Sequence, residues 1–220
     1  MTEPVLLASG RDADVFVIDA HTVLRRYRDG GDVTPEATIM VYVAGFGFPT
    51  PRVDKAAGAD LVMERLDGPT MTQALAAGDL DVHAGGALLA DLHSRLHALR
   101  PRLSADPADR ILHLDLHPDN VMLVPRGPVV IDWRNATEGP ADLDLALSGL
   151  ILAEVAVDEE HEMAVPAGVL LAAFLEHVDG DPRRLLDRAA TIRRHNPTLT
   201  EREVGLVDSA VHLLHRPNTA

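Results

Sequence analysis

Short apolar runs separated by turn residues fill the first sixty or so positions of the chain. Val5–Leu7, Val15–Ile18, Thr22–Arg26 and Leu61–Met63 are aliphatic and β-branched, with Ser9-Gly10-Arg11-Asp12, Asp19-Ala20-His21 and Ala57-Gly58-Ala59-Asp60 in between. This alternation predicts strands joined by turns. One helix interrupts them. Thr34 suits an N-cap and Pro35 the first helical position, Glu36–Ala44 follows, and the glycines and prolines of Gly45–Pro51 end it.

After Gly68-Pro69 the period changes. Leu88, Leu92, Leu96 and Leu99 recur at helical spacing and predict an amphipathic helix over Asp81–Leu99, with Gly85 and Gly86 inside it implying close packing. Pro101–Arg110 is a polar break. Two β runs, Asn120–Val124 and Val129–Ile131, flank Pro125-Arg126-Gly127-Pro128 and predict a hairpin. Helices follow near Ala141–Val157, Pro166–Val178 and Pro182–Arg194. A last one opens with Thr200 and Glu203 at capping-box spacing and runs to about His215. The expected fold is α+β: a small β-rich lobe with its connector over residues 1–66, and a mostly helical lobe carrying one hairpin over 67–220. A cleft between two lobes is the default place for a ligand.

Composition narrows the chemistry. The 220 residues are 46% hydrophobic and 25% charged, as in an ordinary globular chain, and only 3% aromatic, so the core must be aliphatic. The absence of cysteine excludes disulfides, Cys-ligated metal and thiol catalysis. A net charge of −14 argues against nucleic-acid and anionic-membrane partners. It suits solubility, and a cationic small molecule would also be attracted. Met1-Thr2-Glu3-Pro4 has no basic leader, and Asp144, Glu154 and Glu176 interrupt the apolar stretches Leu143–Val157 and Ala164–Val178, so a cytoplasmic protein is expected.

The chemistry concentrates in His113-Leu-Asp115-Leu-His117-Pro-Asp119-Asn120, followed twelve residues later by Asp132-Trp133. An Asp before a strand can take a hydroxyl proton, and an amide oxygen at the strand's start can face the same cleft. The hairpin returns a second carboxylate beside that amide. A base, a neutral oxygen and an anionic oxygen suit magnesium and a phosphorylated substrate.

These residues, with Ile131-Asp132-Trp133 and Gly139-Pro140…Asp144-Leu145-Ala146, resemble the aminoglycoside phosphotransferase and choline kinase-like group of small-molecule kinases. Those enzymes share the two-lobed protein-kinase fold. Upstream, Val23-Leu24-Arg25 is similar to the family's phosphate-binding strand and Pro49-x-Pro51-Arg52-Val53 to its entry into the next strand. Leu61–Leu66 with Gly68 resembles the hinge, and Leu89-Ala90-Asp91-Leu92-His93 the Leu-x-x-Leu-His helix.

The resemblance implies transfer of the γ-phosphate of ATP or GTP to a hydroxyl of a metabolite or antibiotic, with Mg2+ as cofactor. Asp115 is then the base, and Asn120 and Asp132 hold the metal. Ser9 and Gly10 form the phosphate turn, and Arg25 meets the phosphates with Glu36 as its partner. Backbone groups of Glu64 and Leu66 bind the purine below Met63, while His113 and Asp144 brace the loop. The acceptor is left open, as is a role in antibiotic resistance, self-protection or ordinary metabolism.

Other readings compete. Taken singly, Asp115, Asp119, Asn120 and Asp132 also suit turn and strand-end caps. Were His113–His117 extended, period-two geometry would align His113, Asp115 and His117 as a metal site for a hydrolase. A kinase-shaped nucleotide-binding module without catalysis is a third class, against which the presence of Asp115, Asn120 and Asp132 argues. His93 and His97 stand four apart, but Ser94 replaces the Glu of the zinc-protease motif, so helix packing explains them. Asp158–Glu162 reads as a solvated loop or the lining of a cationic-acceptor pocket. Arg183, Arg184, Arg193 and Arg194 read as exposed helix positions, or as steering groups for an anionic acceptor.

Overall fold

A computed structural model describes residues 5–215, so the Met1–Pro4 segment discussed above lies outside the described residues. Five strands, β1 (Val5–Ser9), β2 (Ala13–Val17), β3 (Thr22–Tyr27), β4 (Val53–Ala57) and β5 (Asp60–Glu64), form one antiparallel sheet in the order β1-β2-β3-β5-β4. Helix α1 (Thr34–Gly45) connects β3 to β4. The sheet's centre is β3, where Val23, Arg25 and Tyr27 are buried on the α1 side in period two. Thr34 is the first residue of α1 and caps nothing. Asp32 Oδ1 instead accepts from the Thr34 N–H and hydroxyl at 2.9 and 2.7 Å, which moves the turn two residues upstream.

The rest is mostly helical: α2 (Met71–Ala77), α3 (Val82–His97), α4 (Ala141–Val157), α5 (Ala164–His177), α6 (Leu186–Arg194) and α7 (Glu201–His215). Two short antiparallel pairs are inserted, β6 (Arg110–Leu112) with β9 (Thr137–Gly139), and the hairpin β7 (Val121–Val124) with β8 (Gly127–Val130). Helix α4 is the axis. Its residues from Leu143 to Glu154 are buried on every face, as befits a helix apolar all round with α5, α6 and α7 packed about it.

Several local expectations change in detail. The hairpin turns on Pro125-Arg126 alone, and Gly127 already pairs with Val124. Pro182–Arg194 is two elements, a 3-10 turn over Pro182–Leu185 capped by Asp181 and then α6. Helix α2, with a Thr70–Gln73 capping box, and the β6–β9 pair carry no strong sequence period. At α7 the reciprocal Thr200–Glu203 box is formed, at 3.2 Å from the Glu203 N–H and 2.7 Å from the Thr200 N–H.

Two glycines fix how the parts meet. A Cβ on Gly68 would stand 2.1 Å from the Leu123 carbonyl oxygen, so the connector leaving β5 passes directly over the hairpin. The Leu123 N–H donates to Pro69 O at 2.9 Å and the Val130 N–H to Pro49 O at 2.9 Å, tying both hairpin strands to the segments that flank β4 and β5. Gly86 lets α3 touch α5, since a methyl there would lie 2.6 Å from Ala173 Cβ and 2.8 Å from Leu170 O. Gly205 in α7 has nothing within 4 Å of such a methyl. Gly86→Ala is therefore expected to destabilise by about 1–3 kcal/mol through overpacking. Gly205→Ala should stabilise by roughly 0.5–1 kcal/mol through helix propensity. Urea unfolding midpoints of the two variants check both signs.

Candidate active site

The loop between β6 and β7 is bent rather than extended. Leu114 is left-handed at φ 62, and its N–H donates to Asp144 Oδ1 at 2.6 Å while the His113 N–H donates to Asp144 Oδ2 at 3.1 Å. Asp144 sits fully buried in the first turn of α4, where a helix N-terminus favours an anion. Hydrogen bonds from His93 and His97 hold it well below the usual carboxylate range in spite of its burial. Ser148, one turn on, donates to Leu116 O at 2.7 Å. Helix α4 thus carries the loop from Leu114 to Leu116, with Asp115 between two anchored residues.

His113 joins this loop to the far end of the hairpin. Its Nε2 lies 3.0 Å from Ile131 O, its Nδ1 accepts from the Asp115 N–H at 3.3 Å, and its ring packs edge-on against Trp133. Burial lowers its proton affinity, and the neutral imidazole suits both bonds. With both nitrogens engaged and Leu114 left-handed, His113, Asp115 and His117 do not form the one-faced metal set that the hydrolase reading required.

Asn120, at the end of a 3-10 turn over Pro118–Asn120, gives its Nδ2 to Asp115 O at 2.8 Å and reaches Asp115 Oδ2 at 3.3 Å. Its amide oxygen has no hydrogen bond among the described residues. Asp132 is the second left-handed non-glycine, at φ 61, and its side chain is 43% exposed. Such a backbone costs about 1–3 kcal/mol and persists where the surroundings hold it. Burial, with the charge of Asp132 adding to it, raises Asp115 to about 6.

Arg25 reaches across from β3. Its Nη1 lies 2.6 Å from both carboxylate oxygens of Glu36, and its Nη2 lies 2.5 Å from Asp132 Oδ1. Arg25 and Glu36 are 6% and 4% exposed, so the expected pair forms in a buried setting although Glu36 stands in the first turn of α1. The Tyr27 hydroxyl and, at 3.1 Å, the Trp133 N–H also donate to Glu36. Burial opposes the charge of Arg25, but Asp132 and Glu36 together outweigh it.

The remaining candidates lie around this centre. Ser9 Oγ is bound to Asp14 at 2.6 Å, and the Gly10 N–H to Ala13 O at 2.9 Å, so the β1–β2 turn spends these donors on itself. Met63 is partly buried in β5. The Glu64 N–H is taken by Arg52 O at 2.8 Å and its carboxylate by Arg126. Leu66 makes no hydrogen bond among the described residues.

Features without a sequence signal stand nearby. Arg11 in the β1–β2 turn bonds Glu203 at 2.5 Å and Thr198 O at 3.2 Å, joining that turn to the start of α7. Arg193 is no exposed position: it is 11% exposed and bidentate to Glu154 of α4 at 2.6 and 3.0 Å. Only spacing across 39 or 192 residues could have paired these groups, and local patterns carry none. The acidic run is a solvated loop whose Asp158 and Glu160 pair with Arg202.

A model described as the phosphotransferase enzyme family matches residues 4–110 and 89–186. The chain belongs to this family. A search of curated proteins finds no match. Among solved structures, this phosphotransferase-family chain is similar to an ethanolamine kinase of Plasmodium vivax (8% identity, 99% of this chain and 83% of that one, TM-score 0.64). It is also similar to the ADP-bound aminoglycoside phosphotransferase APH(2'')-Ib (14%, 98% and 93%, TM-score 0.60). A third is the streptomycin–ATP ternary complex of APH(2'')-IIa (14%, 89% and 83%, TM-score 0.56). At these identities the likeness is one of fold: the two-lobed kinase-like architecture, with a reduced sheet and a helical lobe carrying the hairpin. No described helix is long and apolar enough to cross a membrane.

Because Glu36 satisfies Arg25, Tyr27 and Trp133 at once, Glu36→Ala should cost about 3–5 kcal/mol by leaving a buried charge half-paired. Tyr27→Phe removes one hydrogen bond to a charged group and should cost about 1.5–3 kcal/mol. Denaturant titration of both variants checks the order.

Proposed function

We propose that this protein is a small-molecule kinase that moves the γ-phosphate of ATP or GTP to a hydroxyl of a metabolite or antibiotic. One observation carries the reading: Arg25 of the sheet and Asp132 at the hairpin's end meet at 2.5 Å, beside the Asp115–Asn120 pair. In this reading residues up to 66 form the nucleotide lobe and those from 67 the acceptor lobe. Relatives in fold hold ADP, or ATP with streptomycin, which supports a nucleoside triphosphate as donor.

The residues fit Mg2+. The unbonded Asn120 amide oxygen and the exposed Asp132 carboxylate are hard oxygen donors, and magnesium needs few of them because it keeps several waters. When bound there, the ion supplies charge neutralisation on the phosphates. Asp115 orients and deprotonates the acceptor hydroxyl, and burial tunes it for that task. His113 and Asn120 fix its backbone and carboxylate. Arg25 meets the phosphates by giving up the Nη2 contact to Asp132 while Glu36 keeps Nη1. The Ser9–Gly10 turn covers the phosphates, and Glu64, Leu66 and Met63 line the purine site through backbone and side-chain contacts.

Calorimetric titration with ATP and GTP, with and without Mg2+, tests the reading; no binding under any condition would sink it. Asp115→Asn should lower turnover by about 10²–10⁴-fold while nucleotide affinity stays within a few-fold. Asp132→Asn should weaken the Mg2+-dependent part of binding. Near wild-type turnover in Asp115→Asn would remove Asp115 as the base. With Asp115 raised to about 6, kcat/KM should climb as pH rises through about 6, because the base must be ionised. Stability runs the other way. The folded state holds this proton more tightly than the unfolded one, so the Asp115 contribution falls as pH rises from about 4 towards 6.

A further inference from the structure

The β1–β2 turn has little to give an anion through Ser9 and Gly10. Ser9 Oγ is held by Asp14 and the Gly10 N–H by Ala13 O, while the Gly10 carbonyl accepts from Arg28. The turn and the start of β2 also bring two carboxylates. Each has a cation near it: Arg134 stands 3.8 Å from Asp12, and Arg28 stands 3.8 Å from Asp14. Arg25, the buried cation of the sheet, is already set against Glu36 and Asp132. A triphosphate lying under this turn therefore calls for one more positive group.

Arg11 is the cation of the turn whose partners lie on the other lobe. Its guanidinium crosses to the start of α7, 2.5 Å from Glu203 Oε1 and 3.2 Å from Thr198 O. On the way its charge reaches the active-site loop. Burial lowers the proton affinity of His117 in spite of Asp119, and Arg193 and Arg11 add to the lowering. His117 Nε2 in turn lies 3.2 Å from Asn120 Nδ2 and 3.8 Å from Asp115 Oδ1. Arg11 thus stands on the side of the cleft where Asp115 and Asn120 meet.

The contact to Glu203 is one that can be exchanged. The Arg11 side chain is 57% exposed, and an exposed ion pair holds its partners weakly. Glu203 keeps its other role without Arg11, because its Oε2 accepts from the Thr200 N–H and hydroxyl at 2.7 and 2.8 Å. A phosphoryl group offers the planar guanidinium fork two oxygens at once and more charge than one carboxylate oxygen.

We propose that Arg11 is a phosphate-binding catalytic residue, which on arrival of a nucleoside triphosphate leaves Glu203 and Thr198 for oxygens of the γ-phosphate. The inference rests on the kinase reading above. In the transfer, the bond from the γ-phosphorus to the bridging oxygen breaks and its electron pair stays on the diphosphate. A bond to the acceptor oxygen forms, and the hydroxyl proton goes to Asp115. Arg11 takes no proton; it stabilises the charge spread over the non-bridging oxygens.

The test is calorimetric titration of the full chain with Mg2+, comparing the β,γ-imido triphosphate with the matching diphosphate in the wild type, Arg11→Gln and Glu203→Gln. Arg11→Gln changes an exposed side chain, and Gln serves at the third position of a capping box, so both variants are expected to fold. Arg11→Gln should weaken the triphosphate about tenfold or more and leave the diphosphate nearly unchanged. Its turnover should fall about 10²-fold or more. Glu203→Gln frees Arg11 and should tighten the triphosphate a few-fold, since a competing state is removed. Equal losses for the two nucleotides, or wild-type turnover in Arg11→Gln, overturn the role of Arg11 and leave the kinase reading standing. Weaker triphosphate binding in Glu203→Gln also overturns it, because the ion pair then holds the turn over the nucleotide instead of competing with it. Binding of neither nucleotide by the wild type sinks both readings.

Discussion

Arg25 is taken out of water between two carboxylates, Glu36 of α1, 11 residues away in sequence, and Asp132 after β8, 107 residues away. Burying a guanidinium costs several kcal/mol before any partner is counted, and so does burying Glu36. The cost is recovered only when the fork geometry is met on both sides, so β3, α1 and the hairpin end must arrive together. Glu36 then fixes Tyr27 and the Trp133 backbone as well, and Trp133 packs on His113 and Phe48. From one shared cation the sheet, the helix and the active-site loop acquire a common register. Arg25 sets one cation against two carboxylates, of which Asp132 is the more exposed.

Both non-glycine residues with left-handed backbone among the described residues belong to this frame. Leu114 precedes Asp115, and Asp132 precedes Trp133. Each is pinned by an ionic partner from elsewhere, Asp144 for Leu114 and Arg25 for Asp132. Local sequence preference would relax both residues to φ below zero. Tertiary hydrogen bonds prevent it, and His113 spans the gap between the two bends through Ile131 O and the Asp115 N–H. The strain is thus held by groups far away in sequence, Asp144 for Leu114 and Arg25 for Asp132.

The sequence made the architecture legible where a local period or motif carried it. The Leu88–Leu99 spacing gave α3, the Thr200–Glu203 box gave the start of α7, and the His113–Asn120 segment with Asp132 marked the loop and hairpin. Gly85 and Gly86 announced close packing, which Ala173 and Leu170 supply. Legibility ended where the determining contact is distant. Thr34 looked like a cap, but Asp32 is nearer the geometry that bonds its N–H. Arg193 looked exposed because its helix is polar, yet Glu154 on buried α4 draws it in. His93 and His97 read as packing residues because Asp144, 47 residues beyond His97, is the group that gives them chemical meaning.

Burial acts in opposite directions on the two titratable neighbours of the loop. Desolvation disfavours a charged form, so it lifts the Asp115 carboxyl and lowers the His113 imidazole. Burial thus favours a neutral His113, with one nitrogen donating to Ile131 O and the other accepting from the Asp115 N–H. Had His113 ionised instead, its Nδ1 would become a donor facing the Asp115 N–H, and the bond that sets the Asp115 backbone would be lost. Asp115 is freer to respond because it is less enclosed: Asn120 steadies one oxygen, Arg193 lies close enough to temper the rise, and about a quarter of its side chain still meets solvent. The same low-dielectric pocket therefore yields one neutral hydrogen-bonding element and one carboxyl with a raised proton affinity, and it does so through packing on α4 rather than through a direct ion pair between them.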